Sequence, residues 1–242
     1  MKLDRESGIP LHTQLETMMR QKISSGEWPV GKLMPSENKI STEYGVSRMT
    51  VRNVITRLEQ DGLVKRVMGK GTYVSSLKMR GGNLKFDGII SQLQKMGYTI
   101  TTKVLSVERT TDPALATVFL IPEETLYYKV QRVRYMNNSP MSVHVTYVPA
   151  YLVPSLEERA ADMEQRQLFI ILENDYGLAR GKVTETWQAD KAPKWIADIL
   201  QIKTNQPILV DHSVTYNLNG RAFVTEAEYF RGDKISLYFE FQ

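Results

Sequence analysis

Two groups of side chains in this sequence have the residue types and the spacing that chemistry requires. In the first, Arg48 and Arg52 follow Ser47 and lie four residues apart, at the start of an amphipathic segment. On a helix the two arginines share one face. The planar fork of an arginine can contact phosphate, or can bond O6 and N7 of guanine. This group therefore indicates contact with nucleic acid.

In the second group, Arg132 and Arg134 alternate along a predicted strand, so both side chains point to one face. His144 lies on the next predicted strand. Two arginines on one face can clamp a phosphate or a carboxylate. The alternative is structural: the arginines pair with Glu226 or Glu228 across strands, or are simply solvated.

The first group is positioned by two successive helix starts. Ser36 and Ser47 are suited to cap helices, and Gly45 is suited to end the first helix. The second helix has a buried face, because apolar residues recur at helical spacing: Val51, Val54, Ile55 and Leu58. This pattern predicts a helix-turn-helix whose second helix enters the major groove.

Two short strands, 63–67 and 71–74, follow around Met68-Gly69-Lys70-Gly71 and predict a wing whose tip reaches the minor groove. The alternative is three ordinary helices and a hairpin with a solvated basic face. Capping serines, a glycine turn, spaced arginines and the wing occur together and in order, which favours DNA binding. The predicted DNA contacts are Ser36, Asn38, Ser47, Arg48, Thr50, Arg52, Gly69 and Lys70.

Charge is unevenly distributed along the 242 residues. Residues 1–77 hold 12 Lys and Arg against 8 Asp and Glu, whereas residues 78–242 hold 19 of each. A basic module joined to a neutral one predicts a phosphate-binding head and a body with another task. We predict a DNA-binding domain at 1–76, a flexible linker at 77–85, and an effector-binding and dimerisation domain at 86–242.

Composition excludes several classes of protein. There is no cysteine, hence no disulfide and no thiolate metal ligand. No metal or cofactor is expected, and no nucleophile elbow, phosphate-cradling glycine loop or His-Glu-x-x-His motif predicts an enzyme. No run of about 18 apolar residues occurs, and the N-terminus lacks the apolar core of a signal peptide. We therefore expect a cytoplasmic protein with no membrane partner.

The body has an α+β pattern. A helix capped by Asp87 and ended by Gly97 is predicted first, and then a strand at 99–109. Hairpins at 125–149 and 207–230 follow, the second across an Asn219-Gly220 turn. Further elements are helices at 112–119, 168–176 and 193–200 and strands at 181–189 and 235–241. Strands in hairpins with interleaved helices predict an antiparallel sheet.

Residues 5–76 closely resemble the winged-helix domain of the GntR family of bacterial transcription regulators. The resemblance rests on short motifs in order, among them Pro35-Ser36-Glu37, Val46-Ser47-Arg48, Thr50-Val51-Arg52, Gly62-Leu63 and Gly69-Lys70-Gly71-Thr72. It implies a homodimeric repressor, sometimes an activator, that binds a palindromic double-stranded operator and is released by a metabolite. It also makes Arg48 and Arg52 the first candidates for base contacts.

Residues 84–241 resemble the UTRA effector-binding domain of the HutC subfamily, which is similar in fold to chorismate lyase. The motifs are Met96-Gly97, Arg132-Val133-Arg134, Pro140, Tyr176-Gly177, Pro207-Ile208-Leu209 and Tyr229-Phe230-Arg231-Gly232-Asp233-Lys234. In that domain the matching arginines bind the anionic part of an effector. The predicted effector contacts are Arg132, Arg134, His144, Gln167, Glu226, Tyr229 and Arg231.

The sequence departs from sugar-phosphate-binding members of that subfamily at three positions. Gln167 replaces a frequent serine, His144 a frequent glutamate and Val224 a common acid. These departures argue against a hexosamine phosphate and leave a small anionic metabolite, a sugar phosphate or an organic acid. Two other hypotheses are a lyase-like enzyme tethered to DNA, and a ligand-free architectural DNA-binding dimer.

Overall fold

The computed structural model describes residues 3–75, 78–81, 90, 93–94 and 96–239. It divides into two compact units, one formed by Met1–Ile100 with Lys234–Gln242 and the other by Thr101–Asp233. Most of the predicted linker, and most of the helix predicted between Asp87 and Gly97, lie outside the described residues.

The first unit contains helices α1 (Leu11–Ser24), α2 (Glu37–Tyr44) and α3 (Arg48–Gln60). Both predicted serine caps are present: Ser36 Oγ accepts from the Lys39 amide at 3.2 Å, and Ser47 Oγ from the Thr50 amide at 3.1 Å. Each cap satisfies a backbone donor that a helix start leaves unpaired. Gly45 ends α2 in the left-handed conformation at φ 64°, which glycine adopts without strain.

The three helices share a core at the spacing that the sequence predicts. Its buried members include Leu15, Met19, Ile40, Val51, Ile55 and Leu58. Strands β1 (Val64–Val67) and β2 (Gly71–Val74) follow as an antiparallel hairpin, with Val64 opposite Val74. This confirms the predicted helix-turn-helix and wing.

One feature of this unit was not predicted. Strand β3 (Lys78–Gly81) lies within the predicted flexible linker and pairs in parallel with strand β10 (Ser236–Phe239). Parallel partners distant in sequence give no hairpin signal, so a stretch rich in serine, glycine and alternating charge was interpreted as a connector. The sequence therefore did not predict a paired strand at residues 78–81, within the segment expected to be a flexible linker.

The second unit is built on one antiparallel sheet of six strands, in the order β4-β5-β6-β9-β8-β7. The strands are β4 (Ile100–Thr111), β5 (Leu126–Met136), β6 (Ser139–Pro149), β7 (Arg180–Lys191), β8 (Pro207–Asn217) and β9 (Ala222–Arg231). Helices α4 (Pro113–Phe119), α5 (Asp162–Gln165), α6 (Leu168–Tyr176) and α7 (Lys194–Leu200) complete it, with short 3-10 turns at Ala150–Leu152 and Leu156–Arg159. The predicted α+β class is confirmed.

The two faces of this sheet are covered differently. Helix α7 packs on one face, where Ile196 and Leu200 meet Val143 and Val210. Helix α6 packs on the other face, near one end, in a cluster with Tyr128, Val130, Val148, Leu168, Ile171, Leu172 and Val224. In the part of the chain that the structure describes, no helix is long and apolar enough to cross a membrane.

Gly181 on edge strand β7 has no room for a side chain, because a Cβ there would lie 2.7 Å from the backbone oxygen of Asn217. We expect Gly181→Ala to lower the free energy of unfolding by about 1–3 kcal/mol, since backbone must move to relieve the contact. Chemical denaturation measures the change. The neighbouring exposed residue provides a control, Lys182→Ala, which should change stability by less than about 0.5 kcal/mol. Equal effects of the two substitutions would contradict the close approach.

Candidate nucleic-acid interface and candidate ligand site

The N-terminal half of α3 presents the predicted recognition surface. Arg48 and Arg52 are both exposed and lie one turn apart, beside the buried face of the helix. Ser47 and Thr50 are joined to each other, with their hydroxyl oxygens 2.8 Å apart. The capping serine is thus held in place by local hydrogen bonds, and the arginine side chains extend from a fixed helix end.

Arg66 in the wing is committed to structure. Its guanidinium donates to Thr56 Oγ1 at 3.1 Å, to Glu59 Oε2 at 3.0 Å and to the backbone oxygen of Arg52 at 3.1 Å. These bonds tie β1 to α3 beside Arg52. The position of the wing relative to the recognition helix therefore depends on a charged side chain that sequence reasoning did not single out.

A groove of about 440 Å³ separates the start of α2 from the wing. Ser36, Gly69 and Lys70 line it, so the structure brings these three predicted contacts together. Asn38 is exposed in the first turn of α2. The helix start and the open wing tip together form a surface suited to a phosphate backbone.

Two exposed methionines on this surface were missed. Met49 is 61% exposed beside Arg48, and Met68 at the wing tip is fully exposed. Apolar side chains at these places can contact thymine methyl groups or sugar edges. The sequence did contain a signal for them. Each methionine lies within a polar, basic segment, and neither matches the spacing of the buried residues.

In the second unit, the buried polar side chains all lie on one face of the sheet. Strand register places five residues in a single row across five strands: Arg132, His144, Glu228, Asp211 and Trp187. Alternation along the strands adds further buried polar neighbours on the same face: Ser142, Thr146, Ser213, Thr215 and Glu226. We call this set the polar face.

Arg132 and Glu226 form a buried ion pair on the polar face. Arg132 Nη2 donates to Glu226 Oε1 at 2.7 Å and to Thr146 Oγ1 at 3.1 Å, and the Thr146 hydroxyl donates to the same carboxylate oxygen at 2.7 Å. Both charged side chains are at most 3% exposed. The structural alternative considered for Arg132, pairing with Glu226, is therefore present.

Arg134 differs from Arg132. It lies opposite Ser142, is half-buried, and its buried Nε has no hydrogen-bond partner among the described residues. Gln167 is the half-buried residue before α6, and its side chain makes no capping bond. Both predicted clamp arginines thus have a buried Nε without a partner in the described chain, but only Arg132 has its charge paired with a carboxylate there.

Two predicted contacts lie on the other face. Tyr229 packs with the α7 cluster, its ring 5.5 Å from that of Trp195. Arg231 is two residues further along the same strand and pairs with Asp233 at 2.6 Å. Residues an odd number apart on a strand point to opposite faces, so Tyr229 and Arg231 lie on the face opposite Glu226 and Glu228.

Burial and neighbouring charges together shift the pKa values of carboxyl groups on the polar face. Burial alone raises the pKa of Glu226, but the His144 contact and the Arg132 charge outweigh it and hold that pKa well below its usual range. Burial raises the pKa of Asp211 to about 8, and repulsion from Glu228, Glu185 and Glu226 adds to the rise. A backbone hydrogen bond from Thr186 acts in the opposite direction and offsets only part of this rise in pKa.

The polar face was only partly found by sequence reasoning. Arg132, His144 and Glu226 were singled out as candidates, whereas Ser142, Thr146, Asp211, Ser213 and Thr215 were missed, and Glu228 appeared only as a possible ion-pair partner. A signal existed, since these polar residues occupy alternate positions in strands that are otherwise rich in β-branched and aromatic residues.

The fold and these surfaces define a class of protein, a winged-helix DNA-binding module combined with an α+β ligand domain. Residues 11–74 match the model of bacterial regulatory proteins of the gntR family, and residues 95–236 match the UTRA domain. The chain belongs to the GntR family, in its UTRA-containing HutC subfamily. This is a family of DNA-binding transcriptional repressors, so membership confirms that the protein is not an enzyme.

Relatives share this organisation along nearly their whole length. The HTH-type transcriptional repressor NagR of Bacillus subtilis is 26% identical over 235 residues, which cover 97% of this chain and 96% of NagR. The histidine utilization repressor of Pseudomonas aeruginosa is 27% identical over 224 residues, covering 92% and 87%. The crystal structure of PhnF from Mycobacterium smegmatis has a TM-score of 0.69 at 22% identity, covering 93% and 98%, and supports the fold.

Asp211 makes stability depend on pH. Its pKa is raised to about 8 in the folded state, from about 3.9 in an unfolded chain, so the folded state retains a proton that the unfolded state loses. Below about pH 4 both states are protonated, and Asp211 does not reduce the free energy of unfolding. That free energy then declines as pH rises towards about 8. We expect Asp211→Asn to remove the decline, leaving the variant about 2–5 kcal/mol more stable than the parent at pH 8.

Denaturant titrations from pH 4 to 9, in buffer with a chelator so that no cation screens the carboxylates, measure this slope. Asp198→Asn serves as the control, because Asp198 is exposed and paired with Lys194. An unchanged slope in Asp211→Asn would show that Asp211 is ionised throughout.

Proposed function

We propose that the protein is a homodimeric transcriptional repressor that binds a palindromic double-stranded operator and is released by a small molecule. The observation that carries the DNA-binding part is the capped start of α3, where Arg48 and Arg52 extend from a helix end held by Ser47 and Thr50. Local bonds fix the direction of this helix end before DNA is met. Such preorganisation is what groove recognition requires.

Each element of the first unit has a role in this proposal. Arg48 and Arg52 contact base edges, Ser47 and Thr50 contact phosphate oxygens, and the remaining predicted contacts follow the backbone and minor groove: Ser36, Asn38, Gly69 and Lys70. Lysines and arginines on phosphates supply most of the affinity and make it depend on salt. One module buries too little surface for tight binding, which favours a dimer on two half-sites.

We expect Arg48→Ala and Arg52→Ala each to weaken operator binding by about 1–3 kcal/mol, because each removes a base or near-base contact. A fluorescence-anisotropy titration measures the loss, with an operator duplex obtained by selection from random sequence. Arg159→Ala is the charge-matched control, since Arg159 pairs with Asp162 in the other unit. If both α3 variants keep wild-type affinity and sequence preference, the proposal that Arg48 and Arg52 contact base edges in the groove is contradicted.

The proposed effector site is the polar face. A buried polar surface is costly unless its groups are paired, yet the buried Nε atoms of Arg132 and Arg134 have no hydrogen-bond partner among the described residues. A ligand that supplies those partners would stabilise the domain. Two relatives at similar identity have different names, the repressor NagR and the histidine utilization repressor. Similarity alone therefore does not identify the ligand.

We propose that the effector carries an anionic group, as in a sugar phosphate or an organic acid, and that Arg134 is its main contact. Arg132 is a weaker candidate, because its charge is already balanced by Glu226 at 2.7 Å. The effector releases DNA by binding the two states of the dimer with different affinity. We place the repressor in the bacterial cytoplasm, on operator DNA when no effector is bound.

A thermal-shift screen of sugar phosphates and organic acids tests this site. We expect a binding compound to raise the melting temperature of the parent protein and to weaken operator binding. In Arg134→Ala the compound should bind about tenfold more weakly or worse, since a charge-assisted contact is lost. Arg166→Ala, which disrupts an exposed pair with Asp175, is the control. A protein that no compound stabilises would favour the ligand-free architectural dimer.

A further inference from the structure

His144, Glu226 and Glu228 converge within the polar face. His144 Nδ1 lies 2.9 Å from Glu228 Oε1 and 3.4 Å from Glu226 Oε1. One ligand-type atom from each residue lies within 4.8 Å of the others, and all three side chains are at most 2% exposed. An imidazole nitrogen and two carboxylate oxygens gathered in a buried place are a donor set that divalent transition metals prefer.

The separations fit a common ion. A metal held about 2.0–2.2 Å from each ligand atom, at angles of about 90–110°, leaves those atoms about 2.8–3.6 Å apart. The distances from His144 Nδ1 to the two carboxylates, 2.9 and 3.4 Å, both lie in this range. Yet neither His144 Nδ1 nor Glu228 Oε1 has a hydrogen-bond partner among the described residues. The contact is close, but its direction is not that of a hydrogen bond.

Neighbouring groups orient these ligands as outer partners orient a metal site. His144 Nε2 lies 2.8 Å from Ser142 Oγ, and an Nε2 proton donated to that hydroxyl leaves the Nδ1 lone pair directed at the carboxylates. The Thr146 hydroxyl and Arg132 both donate to Glu226 Oε1, the oxygen 3.4 Å from His144 Nδ1, and hold that carboxylate in place. Histidine ligands are commonly fixed in this way through their second nitrogen.

Charge provides an independent argument. Arg132 lies in the same row as Glu228, but its guanidinium is paired with Glu226, so one buried arginine faces two buried glutamates. Asp211 is paired in register with Glu228 and is 1% exposed, so two buried carboxyl groups lie side by side. Buried carboxylates of this kind are stabilised by a cation.

We propose that His144, Glu226 and Glu228 bind one divalent transition-metal ion per chain, with Asp211 as the adjacent carboxylate that adds to its stabilisation. The ion lies on the same face as the proposed effector site, but its binding depends only on these side chains. Glu226 neutralises the positive charge of Arg132. A bound cation adds positive charge to the polar face, and so favours binding of an anionic ligand.

Metal binding is tested on the full chain, stripped with a chelator and exchanged into chelator-free buffer. Titration with Zn²⁺, Mn²⁺ and Mg²⁺ by calorimetry should show one Zn²⁺ or Mn²⁺ per chain and much weaker Mg²⁺ binding, since a site containing imidazole does not suit Mg²⁺. Trp187 gives a second readout. Its ring stacks on Phe230 at 5.6 Å, and Phe230 meets the His144 ring edge-on at 6.1 Å.

We expect His144→Ala and Glu228→Gln each to weaken binding of the ion at least tenfold, because each removes a ligand atom. His212→Ala is the matched control, since His212 is exposed and belongs to the opposite face by alternation. Trp187→Phe should remove the fluorescence change and leave the calorimetric stoichiometry intact. Circular dichroism reports folding, and the nearly isosteric Glu228→Gln decides the question if His144→Ala does not fold.

The competing account is a protonated His144 that balances Glu226 and Glu228 without any ion. In that case the parent protein binds neither Zn²⁺ nor Mn²⁺, and the proposal is overturned. Binding that His144→Ala and Glu228→Gln leave unchanged, or that His212→Ala abolishes, overturns it equally. No DNA or organic effector enters these titrations, so their failure would leave the repressor assignment unaffected.

Discussion

The buried ion pair between Arg132 and Glu226 is the constraint on which the second unit depends. Two charges removed from water are tolerated only when each is paired and hydrogen-bonded, and here Thr146 completes the arrangement. The pair joins β5 to β9 across β6. It therefore stabilises the register of these three strands. A slip of one residue would move every polar side chain to the face where α7 packs.

The same constraint changes how the ligand site is understood. Two arginines on a strand suggest a clamp for an anion, but Arg132 is occupied by a carboxylate from a strand 94 residues further along the chain. In the proposed effector site, an anion would then be bound by Arg134 and by any cation that the carboxylates hold. At His144 and Val224 the chain departs from sugar-phosphate-binding members, and His144 now contacts Glu226 and Glu228.

In the first unit the corresponding interaction is that of Arg66, which joins the wing to Thr56, Glu59 and the backbone of α3. The helices are defined by local signals, namely serine caps and glycine stops. The wing is a hairpin of two four-residue strands and has little core of its own, so a charged side chain fixes its place. A DNA-reading surface made of two separate elements needs such a link, because groove contacts depend on positions held to about an ångström.

The sequence by itself determined the elements of this protein and its family. Capping serines at 36 and 47, apolar residues at helical spacing in α3 and the Asn219-Gly220 turn act over a few residues, so their consequences can be predicted without a fold. Alternation also separates Tyr229 from Glu226 and Glu228, an inference that was open to sequence reasoning and was missed.

Only the tertiary structure decided what each charged residue does. Strand order and register placed Arg132, His144, Glu228 and Asp211 in one row, and paired β3 in parallel with β10 across more than 150 residues. Contacts between strands distant in sequence follow from packing the whole sheet, and no local pattern encodes them. Whether an arginine is a free anion clamp or half of a buried ion pair is for this reason a property of the fold.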